Sequence, residues 1–325
     1  MTTTPSKRLV DPEIAPMLDM FPTLNPTPES LPQIRAMFKE MMAQAAATMP
    51  VSPDISLSER HIPGPQGAPD VRIQIYLPKN VSTPTPAILW IHGGGYVIGS
   101  SDQSGPDLQN IIAATGCAAV AVDYRLAPEA PHPAPVEDCY AALKWLHTNA
   151  SELDVDASRI AIGGDSAGGG LTAALALLTR DRGEVPLIFQ LLIYPMLDDR
   201  TVTTPDPHPY TGEYIWTPAA NRFGWTALLG QEPGGPDVSP YAAPARAKHL
   251  EGLPPALIGV GTLDLFLEED LEYARRLMRA GVPTELHVYP GAFHGFPMAA
   301  NSQIAQAFVR DYLSALKRAF TRHNM

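Results

Sequence analysis

Residues 164–168 have the sequence GDSAG, with a serine at the centre and a glycine two positions to either side. The preceding run RIAIGG (159–164) predicts a strand, and the run rich in alanine and leucine after it (167–182) predicts a helix. The glycines let the backbone turn sharply and lift the Ser166 hydroxyl to the helix N-terminus, where free N–H groups favour negative charge. The pattern predicts a nucleophilic serine.

A nucleophilic serine needs a base within hydrogen-bond reach and an acid that orients the base. We expect both later in the chain, acid first and base second. His294, in the glycine-flanked loop GAFHGF, follows the last strand candidate, and Asp264 directly follows the apolar run ALIGVG. Glu268, Glu269 and Asp270 are alternative acids, although acidic residues are common in the first turn of a helix for dipole reasons alone.

Acyl transfer also needs N–H donors aimed at the developing oxyanion. The run HGGGY (92–96) follows the strand candidate AILWI, and its glycines allow the backbone to approach a substrate closely. We expect the N–H groups of Gly94, Gly95 and Ala167 to form the oxyanion hole. His92 precedes the serine and lies in this loop, so we assign it a loop-fixing role.

Short apolar runs alternate with longer helical patterns from about residue 55 onward, which predicts an α/β domain. We expect a mostly parallel central sheet with helices on both faces, and an antiparallel pair at one edge formed by 57–63 and 71–77. The other strand candidates are 87–95, 117–126, 159–166, 187–195, 256–264 and 284–290, and the helix candidates are 103–115, 136–150, 167–182, 219–230, 267–281 and 301–320.

Two segments fall outside this alternation. Residues 1–54 contain an amphipathic helical pattern, and residues 197–230 begin with a proline-rich insertion after a strand. Ligands bind beyond the carboxyl ends of parallel strands, so we interpret both segments as a helical cap over the site. Residues 55–196 and 231–325 are then the two parts of the core. An N-terminal arm that packs elsewhere is the alternative.

Composition excludes several classes of function. The net charge of −11 makes nucleic acid an unexpected partner, and no apolar run reaches the roughly 18 residues of a membrane span. Since the first residues lack the apolar stretch of a signal peptide, we expect a soluble, cytoplasmic protein. Cys117 and Cys139 lie in a strand and a helix candidate, so we expect free buried thiols. The histidine and cysteine spacing matches no metal site.

The motifs HGGGY (92–96), DYRLAPE (123–129), GDSAGGG (164–170), GTLD (261–264) and HGF (294–296) occur in this order. With these motifs, the chain resembles the hormone-sensitive lipase family of esterases, within the α/β-hydrolases.

The resemblance implies a Ser166, Asp264 and His294 triad, the oxyanion hole named above, a helical cap and no cofactor. It also implies that Asp165 helps to fix the nucleophile turn. Leu265 departs from the family, in which many members carry proline after the acid. Arg125 and Glu129 are interpreted as a structural ion pair or as a clamp on the loop near the site.

We therefore predict a serine carboxylesterase that hydrolyses short- to medium-chain acyl esters, small-molecule substrates, through an acyl-enzyme. Tyr96, Phe38, Met41 and Trp216 are candidates for the substrate pocket. Two rivals remain open: a ligand-binding protein like the plant gibberellin receptor, and an enzyme acting on amides, carbamates, lactones or N-formyl compounds. We also expect a homodimer formed through the last strand, 284–290.

Overall fold

The apolar runs of the sequence become strands of one sheet in a computed structural model that describes residues 5–20, 23, 25–48, 50–82 and 84–321. Within these residues the sheet has eight strands, in the order β1-β2-β4-β3-β5-β6-β7-β8. They are β1 (Ile55–Ile62), β2 (Val71–Pro78), β3 (Thr85–Ile91), β4 (Ala118–Asp123), β5 (Val155–Asp165), β6 (Phe189–Ile193), β7 (Ala256–Gly261) and β8 (Thr284–Tyr289).

Strands β3 to β8 run parallel to one another, whereas β1 pairs antiparallel with β2, and β2 pairs antiparallel with β4. The sheet is therefore mostly parallel with an antiparallel edge, as the sequence predicts. All seven residues of β3 are buried, because helices cover both faces of the central strands. The prediction of an α/β-hydrolase fold is confirmed.

Helices lie on the two faces of the sheet and at its carboxyl edge. They are α1 (Met17–Met20), α2 (Leu31–Thr48), α3 (Gly105–Thr115), α4 (Ala134–Thr148), α5 (Ala167–Arg182), α6 (Pro218–Leu229), α7 (Leu267–Arg279) and α8 (Gln303–Thr321). Apolar residues of α4, α5 and α7 share one core cluster with Leu89 and Ile91, and those of α3 and α8 share another with Ile88 and Trp90. Alternate side chains of β3 thus enter cores on opposite faces.

The described residues before β1 divide between two places. Val10, Ile14 and Met17 join the core beside α8, and the Asp11 N–H donates to the Gly291 carbonyl over 3.1 Å. Helix α2 instead packs through Leu31 on a separate apolar cluster that includes Val97, Ile98, Ala127 and Ala227. The first described residues therefore behave as an arm on the core, and α2 lies near the loop after β3.

Both cysteines, Cys117 and Cys139, are free and buried, as expected. In the part of the chain that the structure describes, no helix combines the length and the apolar character that crossing a membrane requires.

Candidate active site

Ser166 lies at the turn between β5 and α5, with φ 55° and ψ −121°. Few residues with a side chain adopt a positive φ, and such residues cluster at functional sites. The flanking glycines make this turn possible. A Cβ on Gly164 would lie 2.4 Å from the Ile91 carbonyl oxygen, and one on Gly168 would lie 2.0 Å from it. Both positions therefore exclude any larger residue.

Three predicted residues meet in one hydrogen-bond chain. His294 Nε2 lies 2.9 Å from Ser166 Oγ, and His294 Nδ1 lies 2.8 Å from Asp264 Oδ2. Asp264 follows β7 and is fully buried, and its Oδ1 accepts the Phe266 N–H over 3.0 Å. His294 lies in the turn after β8. Because parallel strands end at the same edge, residues far apart in sequence converge there.

The alternative acids lie elsewhere. Glu268 is exposed on the first turn of α7. The carboxylate of Glu269 accepts the backbone N–H groups of Leu197 (2.6 Å) and Asp198 (3.1 Å). Asp270 is buried, and neither of its carboxyl oxygens has a hydrogen-bond partner among the described residues. The Nδ1 atom of His294 faces Asp264.

Two aromatic rings that the sequence did not single out hold the imidazole of His294 edge-on. The ring centroid of Tyr194 lies 4.8 Å from that of His294, and the ring of Phe266 lies at 5.2 Å and 88°. Their signal in the sequence is position alone, since Tyr194 directly follows β6 and Phe266 lies two residues after Asp264. These contacts restrict rotation of the imidazole.

The loop after β3 has the backbone conformation that its glycines predict. Gly94 has φ 122° and Gly95 has φ 59°. The Gly94 carbonyl accepts the N–H groups of Val97 (3.1 Å) and Ile98 (3.0 Å), which closes a tight turn. A Cβ on Gly94 would lie 2.0 Å from the Ile98 carbonyl oxygen. This turn leaves the glycine backbone beside the nucleophile turn.

Asp165 joins the two turns, because its Oδ1 accepts the Gly93 N–H over 3.1 Å. Burial raises the pKa of Asp165 to about 7, with a smaller contribution from the charge of Asp107, even though the Gly93 N–H acts in the opposite direction. A Cβ on Gly93 would lie 2.3 Å from Asp165 Oδ2, so only glycine permits this approach.

His92 lies within the loop and away from Ser166. Its Nδ1 lies 2.7 Å from the Gly93 carbonyl oxygen, and its ring stacks on Tyr124 at 4.3 Å and 13°. The Tyr124 hydroxyl donates to the His92 carbonyl over 2.9 Å. Burial lowers the pKa of His92, so the neutral ring donates its Nδ1–H to Gly93.

Trp216 covers the loop after β3. A Cβ on Gly95 would lie 2.1 Å from Trp216 Cη2, and the ring centroids of Trp216 and His294 are 6.5 Å apart. The indole N–H donates to Asn221 Oδ1 over 3.1 Å. The preceding residue, Ile215, has φ 59°, and the Trp216 N–H donates to the Tyr214 carbonyl over 2.7 Å, closing a strained three-residue turn.

The other pocket candidates differ in position. Tyr96 is fully buried and donates its hydroxyl to the Met196 carbonyl over 3.0 Å, so it anchors the loop and offers no open surface. Phe38 packs on the apolar cluster beneath α2. Met41 is 36% exposed on the same helix. Of the four candidates, Trp216 is the one placed against His294.

The expected pair of Arg125 with Glu129 is wrong. Arg125 forms a two-pronged pair with the buried carboxylate of Asp138, at 2.7 and 2.8 Å. Glu129 instead accepts both ends of the Arg35 guanidinium, at 2.7 and 2.8 Å. The partners come from α4 and α2, which the tertiary fold brings to this loop from either side.

Arg35 also bonds the backbone near the site. Its Nε donates to the Val97 carbonyl over 2.8 Å, and its Nη2 donates to the Ala127 carbonyl over 2.9 Å. Val97 ends the turn that contains Gly94 and Gly95. Sequence reasoning missed Arg35, because no local pattern marks it.

Known proteins share this arrangement of elements. A family model described as the alpha/beta hydrolase fold matches residues 88–298. Carboxylesterase NlhH of Mycobacterium tuberculosis is 36% identical over 318 residues, which are 95% of this chain and 96% of that protein. The arylesterase of Saccharolobus solfataricus is 30% identical over 295 residues, covering 88% of this chain and 92% of that protein.

Solved structures show the same likeness. A bacterial heroin esterase is 41% identical and superposes with a TM-score of 0.91, over 99% of this chain and 100% of that one. Esterase LipW from Mycobacterium marinum is 34% identical with a TM-score of 0.86, over 98% of each chain. The matched regions contain the Ser166 turn and the loop after β3.

Proposed function

The chain is a carboxylesterase of the hormone-sensitive lipase family, within the α/β-hydrolase superfamily, and we propose that Ser166, His294 and Asp264 perform its catalysis. The observation that carries this proposal is the hydrogen-bond chain from Ser166 Oγ through both ring nitrogens of His294 to Asp264. Both distances are within the range at which a nucleophile, a base and an orienting acid cooperate.

In the first step, Ser166 Oγ attacks the ester carbonyl while His294 Nε2 accepts the hydroxyl proton. Asp264 Oδ2 accepts the Nδ1–H of His294, which fixes the tautomer and stabilises the imidazolium that forms. His294 then returns the proton to the alkoxide as the carbon–oxygen bond breaks. The alcohol leaves, and the acyl group stays on Ser166.

In the second step, water attacks the acyl-enzyme while His294 Nε2 accepts its proton. The proton passes to Ser166 Oγ as the acyl–oxygen bond breaks, so that a carboxylic acid leaves and the enzyme is restored. The same pair of hydrogen bonds serves both halves of the reaction.

We assign the oxyanion hole to the N–H groups of Gly94, Gly95 and Ala167. Ala167 is the first residue of α5, where the N–H groups have no partner within the helix. The positive φ of Gly94 and Gly95 supports the assignment, because it keeps this loop close to Ser166. Asp165 and His92 hold the loop, as positioning residues.

We propose that the substrates have short to medium acyl chains and that α2, with residues 197–230, caps the site. Trp216 supports both parts, because its ring lies on Gly95 and near His294, where it narrows the space above the nucleophile. Gly224 of α6 packs against the same loop, because a Cβ at this position would lie 2.7 Å from the Gly95 carbonyl oxygen.

Hydrolysis of p-nitrophenyl esters from acetate to palmitate tests this function. We expect kcat/KM to be highest for the short chains, and Ser166→Ala to remove nearly all activity while preserving the circular dichroism spectrum. Loss of one triad member leaves only the residual catalysis of the oxyanion hole and binding, about 10³- to 10⁴-fold over water.

Two results would contradict the proposal. Full activity in Ser166→Ala would show that another group is the nucleophile. A rate that rises steadily up to palmitate would reject the short-chain preference while leaving the serine mechanism intact.

We further propose a homodimer formed by the pairing of two β8 strands. In the described sheet, β8 is the last strand, and its outer edge has no neighbouring strand. An open edge of this kind is a template for pairing with a second chain. The expectation of a cytoplasmic enzyme stays a prediction from the sequence.

A further inference from the structure

A second cleft lies between α5 and α7, away from the catalytic residues. Its volume is about 780 Å³, and the segment 236–249 forms one of its walls. Pockets that hold small molecules span about 300–1,000 Å³, so the cleft is large enough for a ligand. Ser166, Asp264 and His294 are absent from its lining. Its chemistry is therefore separate from ester hydrolysis.

Two cations on the cleft wall form no salt bridge with a carboxylate among the described residues. Lys248 is exposed and forms no salt bridge or hydrogen bond through its Nζ atom within them. Within the described residues, Arg276 on α7 donates only to the carbonyl oxygens of Ala245 and Ala247, and its charge also acts on the carboxylate of Glu272, one turn earlier. Carbonyl groups satisfy hydrogen-bond donors without neutralising the charge. Both side chains therefore favour an anion in the cleft.

A buried hydroxyl adds a third donor. Tyr273 lines the cleft and is 1% exposed, and its hydroxyl has no hydrogen-bond partner in the described part of the chain. Burial raises its pKa, so the group stays protonated and can donate. Arg276 follows Tyr273 by three residues on α7, which places both side chains on one helix face. A buried donor without a partner is unfavourable, and a ligand oxygen that displaced the side chains covering the hydroxyl would satisfy it.

The carboxyl groups of the cleft wall are already engaged. Asp181 bonds Arg180 and the Tyr241 hydroxyl, and Asp198 forms a two-pronged pair with Arg200. The other two are Glu272, which bonds Arg275 on its own helix, and Glu269, which accepts backbone N–H groups. The carboxylate acceptors of this cleft are therefore already bonded, whereas some of its hydrogen-bond donors are not.

We propose that the cleft is a binding site for an organic monocarboxylate. Its carboxylate would accept from Lys248, Arg276 and the Tyr273 hydroxyl, and its apolar body would contact the apolar part of the wall. That part comprises Leu177, Val238, Pro240, Ala245 and Ala247. A single negative charge fits better than a phosphate dianion, because the engaged carboxylates nearby would repel the second charge. The proposal does not depend on the catalytic roles assigned above.

Isothermal titration calorimetry with phenylacetate tests the site. The neutral isostere phenylacetamide and inorganic phosphate are titrated for comparison. Lys248→Ala and Tyr273→Phe remove groups that have no partner in the described chain, so both variants should fold and hydrolyse esters as the wild type does. We expect phenylacetate to bind, and each variant to weaken the binding about two- to tenfold, the range of one hydrogen bond. Lys317→Ala, an exposed lysine on α8, is the matched control and should bind normally.

The titration is repeated after treatment with diethyl p-nitrophenyl phosphate, which caps a reactive serine. Binding that survives capping and weakens in both variants supports the cleft. Binding that disappears after capping belongs to the catalytic site and overturns the proposal. Equal affinity for phenylacetamide, tighter binding of phosphate, unchanged affinity in both variants, or no binding at all would also overturn it. Whether the serine reacts is read separately by mass spectrometry.

Discussion

Ser166 keeps its unusual backbone conformation because hydrogen bonds from the end of β6, the segment after it and helix α5 fix it. Its N–H donates to the Ile193 carbonyl over 2.8 Å, and its carbonyl accepts the N–H groups of Gly170 and Met196 over 3.0 Å each. Strain of this kind, of order 1–3 kcal/mol, persists only where the surroundings determine it. Ser166, the proposed nucleophile, is therefore positioned by β6 and α5 as well as by its own turn.

Replacement of Asp264 by Asn tests the role of the orienting acid. The amide cannot stabilise the imidazolium, and it permits the wrong tautomer of His294. We expect kcat for p-nitrophenyl acetate to fall about 10³- to 10⁴-fold. Glu268→Gln, an exposed carboxylate four residues later, is the control and should retain full activity. Similar losses in both variants would contradict the assignment.

Asp165 gives the fold a pH dependence of defined sign. Its pKa is about 7 in the folded protein against an ordinary value of 3.8, so folding favours the protonated form. The stability associated with this group is complete below about pH 4 and is lost as the pH rises through 7.

Asp165→Asn keeps an oxygen acceptor for the Gly93 N–H and removes the titration. The wild type loses stability from pH 5 to pH 8 as Asp165 ionises, whereas the variant does not. We therefore expect the free energy of unfolding of the variant, relative to that of the wild type, to rise by about 1–2 kcal/mol over this range, after discounting for the partial exposure of Asp165. Urea denaturation at the two pH values measures the gain. The same difference between variant and wild type at both pH values would reject the raised pKa.

At the scale of elements, one side chain of helix α2 attaches this helix to the loop after β3, the proposed oxyanion loop. Arg35 reaches the Val97 and Ala127 carbonyl groups as well as Glu129. The side chain of Glu129 is 64% exposed, so solvent screens its charge and the ion pair contributes little. The two hydrogen bonds to backbone carbonyls are the main part of this attachment.

Arg35→Met should therefore loosen α2 and the turn at Val97 together. We expect a loss of about 1–3 kcal/mol in unfolding free energy and a lower kcat, because the oxyanion donors are held less firmly. Glu129→Gln should have a smaller effect on both quantities. Lys39→Met, an exposed position one turn further along α2, should change neither, and equal effects at positions 35 and 39 would refute this role.

The elements themselves could be predicted from the sequence because their signals are local. The run RIAIGG, a serine between glycines and an alanine-rich helix follow one another directly, and the antiparallel edge of β1 and β2 is a short-range pairing. The match of the family model and of the esterases confirms the resemblance to the hormone-sensitive lipase family.

Other features could not be predicted, because they depend on distant chain segments meeting. The Arg125 and Glu129 side chains each pair with a residue of a helix that packs against their loop. Their closeness in the sequence therefore predicted the wrong pair. Nothing local predicts the positive φ of Ile215, a β-branched residue that the contacts of Trp216 hold in place. Tyr194 faces His294 only because β6 and β8 end at the same edge.

For the whole molecule, the open edge of β8 predicts the state of assembly. Sedimentation velocity at micromolar concentration should show the mass of two chains, because two copies can extend the sheet across a two-fold axis. Leu286→Pro, in the middle of β8, should shift the mass towards one chain while the ester hydrolysis of the folded fraction remains. A single-chain mass for the wild type would reject the dimer.

The order of the site residues along the chain has a consequence for biosynthesis. Strands β3 and β5, which lead into the oxyanion loop and Ser166, are neighbours at the centre of the sheet, whereas Asp264 and His294 follow the last two strands. A ribosome therefore releases Ser166 long before Asp264 and His294. In the proposed mechanism, the nascent enzyme stays inert towards cellular esters until β7 and β8 have joined the sheet. Any translation product that stops before His294 lacks the base and does not hydrolyse esters.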